Sequence, residues 1–131
     1  MSNQQAAIND ELIDGAREAA SLNGLSFAMV SSTTSAVDPN APTVFRYFEE
    51  NGVLWGDYTG DTVLTGRFAG QRTGDTATIF FTHRSTDQSL RSGSATSVIS
   101  RASDGALRLT EFYQFTPGKD EFSVCQEITQ P

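Results

Sequence analysis

The sequence predicts an all-β domain, an eight-stranded antiparallel up-and-down barrel preceded by a short N-terminal helix. Three observations lead there. From Leu25 onward the chain is rich in β-branched and aromatic residues, the side chains that suit a pleated, half-buried surface. Turn chemistry interrupts that text at regular intervals, at Asp38-Pro39-Asn40-Ala41-Pro42, Asn51-Gly52, Gly60-Asp61, Thr73-Gly74-Asp75, Thr86-Asp87-Gln88, Asp104-Gly105 and Pro117-Gly118-Lys119-Asp120. No connection is long enough to hold the crossover helix that a parallel pair needs.

The one helical signal spans residues 9–23. Asn9 or Asp10 caps it, acidic residues fill its first turn, Leu12, Ala16, Ala19 and Ala20 share one stripe, and Gly24 stops it. This divides the chain into a tail and amphipathic helix over 1–24 and a barrel domain over 25–131. The turns then delimit eight strands, near 25–35, 43–50, 52–59, 62–71, 75–84, 88–100, 106–115 and 121–129. Tight turns between consecutive strands make a meander, and an eight-stranded meander either leaves two open edges or closes. Closure is the expectation, with the helix able to plug one end. A two-sheet sandwich is the alternative, and only the segment around Pro39 and Pro42 is long enough for the connection it needs.

Composition narrows the function. At 131 residues the chain is one domain, and its 16 acidic against 9 basic residues give a net charge of −7. Neither a nucleic-acid backbone nor an anionic membrane is a natural partner for that surface. No basic segment followed by an apolar run opens the sequence, and no stretch reaches the roughly 18 apolar residues of a membrane span, so a cytoplasmic location is expected. One histidine, His83, and one cysteine, Cys125, are too few for a zinc site of nitrogen and sulfur ligands, and no cofactor motif is present. The pair reads more simply as core side chains than as a nucleophilic couple.

Three stretches, FRYFEENGVLWGDYTGDTVLTGRF, THRSTDQSLRSGSATS and DGALRLTEFYQFTPGKDEFSVCQEI, resemble a family of small bacterial proteins that often carry an N-acetylglutamate synthase label. The resemblance covers roughly residues 25–129. It rests on Phe45 and Tyr47, Trp55 and Tyr58, Gly66, His83, Gly93, then Glu111, Tyr113 and Phe115, with Ser123 and Glu127 in the last strand. It implies a lipocalin-like or calycin-like barrel. It brings no chemistry, and the label finds no support in the residues: an acetyltransferase needs a mixed α/β fold and a Gly-rich pyrophosphate loop, and neither is present.

Alternation assigns faces, strand by strand. Phe45 and Tyr47 point inward from the second strand, and Ile79, Phe81 and His83 from the fifth. The sixth strand, LRSGSATSV, presents Arg91, Gly93, Ala95 and Ser97 on one face, small enough either to leave a cavity or to mark a crowded, bent strand. Trp55 and Tyr58 fall on opposite faces, so one ring lies outside, as a homodimer contact or beneath the helix.

The seventh strand carries the sharpest feature. In LRLTEFYQF the face Leu107, Leu109, Glu111, Tyr113, Phe115 contains a carboxylate among core residues, and a bare buried charge is costly. Glu111 therefore needs a partner. Arg91 and His83 lead, and the hydroxyls of Tyr47 and Tyr113 are also available; Glu127, alternating with Ser123 and Cys125, joins the same interior. Three roles stay open for Glu111: an ion pair that fixes register, a polar group that orients a ligand, or a proton carrier with His83 and Tyr113. The expected function is binding of a small hydrophobic molecule among Phe45, Tyr47, Phe81, Arg91, Ser97, Phe115 and Cys125. The alternative is a cofactor-independent isomerase or cyclase working by acid/base chemistry in the same cavity. A serine hydrolase is disfavoured because no serine lies in a G-x-S-x-G context.

Overall fold

The computed structural model describes residues 20–34, 36–114 and 117–129. Eight strands run as β1 (Ser26–Ser32), β2 (Val44–Glu50), β3 (Val53–Gly60), β4 (Val63–Thr73), β5 (Thr76–Ser85), β6 (Leu90–Arg101), β7 (Leu107–Gln114) and β8 (Glu121–Glu127). Each pairs antiparallel with the next, and β1 pairs with β8, from Phe27 opposite Glu127 to Ser32 opposite Ser123. The barrel is closed, and the sandwich alternative falls. Every predicted strand is present. Most of the expected helix, 9–19, lies outside the described residues, and its last four, 20–23, are irregular chain ending in a turn.

The turns explain the tightness of the meander. Asn51 and Gly52 both take positive φ, 53° and 79°, which matches the right-handed strand twist in a two-residue hairpin. Alternation then decides what fills the interior. Tyr47, Leu54, Ile79, Leu109 and Cys125 are buried, whereas Trp55 lies on the outer face stacked on Phe48 with ring centroids 5.9 Å apart. Tyr58 is the inward one of the two rings singled out on β3.

The two ends differ. Residues 20–25 cross one end: Leu22 is fully buried, the Gly24 N–H donates to the Tyr47 carbonyl at 2.8 Å, and Arg72 ties the segment down. The Arg72 guanidinium donates to the Ala20 carbonyl at 2.6 Å and pairs with Glu49 at 3.0 Å, while the Leu22 N–H donates to the same Glu49 oxygen. At the other end, where β1 joins β2, β3 joins β4, β5 joins β6 and β7 joins β8, the interior is open. Among the described residues no helix is long and apolar enough to cross a membrane.

Candidate functional site

From the open end a cavity of about 580 Å³ runs into the barrel. Its wall is aromatic and aliphatic in the depths, with Phe45, Tyr58, Ile79, Phe81 and Ala95, and its mouth is polar, with Asp61, Asp87, Arg91, Lys119 and Glu121. Glu111 and Ser123 reach it from the floor, and below them Tyr47, Ser97, Leu109 and Cys125 are packed without void-facing surface.

Glu111 acquires partners from strand register. On β7 it stands directly opposite Ser97 of β6 and Ser123 of β8. Two small side chains flank the carboxyl and donate to it, Ser97 Oγ to Oε2 at 3.3 Å and Ser123 Oγ to Oε1 at 3.1 Å. The Tyr47 hydroxyl, coming across the interior from β2, donates to Oε2 at 3.4 Å. Burial pushes the Glu111 carboxyl above its ordinary range, and the three hydroxyl bonds pull it partly back. The expected pairing with Arg91 or His83 does not form. Arg91 enters at the mouth, the far end of β6 from Ser97, and His83 is engaged with a different hydroxyl.

That hydroxyl belongs to Tyr58, 2.9 Å from His83 Nδ1. The two residues lie on β3 and β5, with β4 between them, and the residue of β4 in register with both is Gly66. A Cβ at Gly66 would sit 2.5 Å from the Tyr58 ring, so only glycine lets the phenol lie flat across β4 and reach the imidazole. Phe81 lies over Gly93 in the same manner, where a Cβ would meet its Cζ at 2.8 Å. The glycine of the sixth strand therefore seats a ring instead of leaving a void, while Ala95 beside it lines the cavity. Burial, followed by the nearby Arg91, pulls the His83 pKa down, and burial, followed by Glu111, pushes the Tyr58 pKa up. The imidazole is neutral and the phenol protonated, and the tautomer we assign has Tyr58 donating to Nδ1 and the ring proton on Nε2.

A bulge between Met29 and Ser31 re-aims the end of β1, so that Ser32 faces the cavity. Its hydroxyl and that of Thr34 lie 3.2 and 2.9 Å from the Tyr113 hydroxyl, forming a polar collar above Glu111.

Of the residues singled out in the sequence, Phe45, Phe81, His83, Arg91, Glu111 and Tyr113 line the cavity. Tyr47, Ser97 and Cys125 lie beneath its floor, the first two holding Glu111 and the third a free thiol kept protonated by burial. Phe115 is outside the described residues. Tyr58, Ser32 and Ser123 were missed as site residues. Hairpin geometry held the signal for Ser123, since it and Glu111 lie equally far from Pro117, as Ser97 and Glu111 do from Asp104.

A family model described as avidin-like protein matches residues 20–128. No curated protein and no solved structure matches the chain.

Proposed function

The chain belongs to the avidin-like family, and from that premise we propose that it binds a small hydrophobic molecule inside the barrel. The observation that carries this is a dead-ended cavity of about 580 Å³ whose apolar wall ends on a hydrogen-bonded carboxyl. Ligand sites are concave, mostly apolar and fitted with a few polar groups, typically at about 300–1,000 Å³. The floor is rigid because three hydroxyls from three strands fix Glu111, so a ligand meets a preorganised group and little ordering cost remains. Titration with a neutral naphthylamine fluorophore tests the reading. Emission rises and saturates at one equivalent in the native protein, and the change is lost in Ala95→Leu, which fills the wall. No change in the native protein overturns it.

A second reading draws on the Tyr58–His83 hydrogen bond. With the imidazole in the opposite tautomer, Nδ1–H donating to the Tyr58 oxygen, Nε2 of His83 takes a proton and the hydroxyls of Tyr58 or Tyr113 stabilise an enolate, which are the parts of a cofactor-independent isomerase or cyclase beside an apolar cavity. It predicts exchange of an acidic C–H of a bound ketone with deuterated solvent, abolished in His83→Gln.

A further inference from the structure

The floor of the cavity has a chemical sign. Each carboxyl oxygen accepts about two hydrogen bonds. Glu111 Oε2 takes two, from Tyr47 and Ser97, whereas Oε1 takes one, from Ser123. The remaining acceptor position belongs to the oxygen whose donor, Ser123, itself lines the cavity. The three groups that hold the carboxyl are neutral donors, so among the described residues no cation at the floor compensates a second negative charge.

The walls and mouth do not reverse this. Among the described residues, four carboxylates, Asp61, Asp87, Glu111 and Glu121, face the cavity against two cations, Arg91 and Lys119, and both cations stand at the rim. His83 adds no charge, being held neutral by burial.

Resting on the binding reading above, we infer that the occupant is an amphiphile whose inner end is an O–H or N–H donor, uncharged or cationic, and that the barrel discriminates against carboxylates of the same carbon skeleton. The donor end sits on Glu111 Oε1 beside Ser123, and the hydrocarbon lies along Phe45, Ile79, Phe81 and Ala95. A carboxylate in the same place faces Glu111 across a water-excluded floor, and such like-charge contacts are strongly unfavourable.

The experiment is displacement of the neutral fluorophore by decanol, decylamine and decanoate, which share one chain and differ in the head group. Decanol and decylamine are expected to displace it, with decanoate at least about tenfold weaker. In Glu111→Gln the gap between decanol and decanoate narrows. Ser123→Ala, which leaves the carboxyl in place, keeps the discrimination, so a poorly folded Gln variant does not block the test. Decanoate binding as tightly as decanol overturns the inference while leaving a binding barrel. Failure of the fluorophore itself to bind overturns the binding reading, and the inference with it.

Discussion

The two halves of this barrel are made of the same strands in the same alternation, yet one is a packed core and the other a cavity. In the closed half, inward positions hold Phe27, Tyr47, Leu54, Phe68 and Leu109, with Tyr47 packed edge-on to Phe27 at 5.4 Å and tilted on Phe68 at 4.6 Å. In the open half the inward positions include Ser32, His83, Ala95, Glu111 and Ser123. The strand path is common to both; side-chain volume and polarity make the difference. Closed strands supply every backbone hydrogen bond without help from the interior, so a barrel tolerates an empty half where a bundle would collapse.

Substitutions in the closed half should then cost stability, and those in the open half binding. The largest effect is expected for Leu109→Ala, which removes a fully buried side chain in a site that cannot collapse and should destabilise by about 2–5 kcal/mol in urea unfolding. Gly66→Ala comes next. The added methyl displaces the Tyr58 ring, costing about 1–3 kcal/mol, and the imidazole nitrogen shifts in NMR should report loss of the Nδ1 hydrogen bond. Ala95→Leu should change stability by under about 1 kcal/mol, because the cavity receives the extra carbons, while abolishing fluorophore binding. If Ala95→Leu costs as much as Leu109→Ala, the open half is as tightly packed as the closed one and the contrast is wrong.

The smallest effect separates floor from core by pH. Glu111 holds its proton more firmly folded than unfolded, so its stabilising contribution is full below the unfolded value, near 4.5, and is lost as pH rises through the higher folded value. Glu111→Gln lacks this loss. Its stability relative to the native chain should therefore rise as pH increases above about 4.5, measured as the difference in urea midpoints. A difference independent of pH means the carboxyl is not desolvated.

Much of this was legible beforehand. The turn dipeptides marked all seven hairpin connections, because positive φ and turn hydrogen bonds restrict the residues that work there. Period-two alternation put Phe45, Tyr47, His83 and Glu111 on the inner face. The partner of Glu111 was less accessible. Charge complementarity pointed to Arg91, which shares the inner face of β6, but that strand runs from the mouth towards the floor, and it is Ser97, further along it, that lies opposite Glu111. Likewise Tyr58 and His83 meet only because Gly66 lies between them in two successive registers.

The sequence by itself determined the strands, their order, the inner face and the presence of one carboxyl on it, since those follow from local backbone preference and a period of two. Only the tertiary structure decided which end is stoppered and which is open. It also decided that Ser97 and Ser123 join the Tyr47 hydroxyl, already a candidate in the sequence, in holding Glu111, and that the bulge at Met29 turns Ser32 inward. These depend on closure, register and stagger, which are set by all eight strands together and by no segment alone.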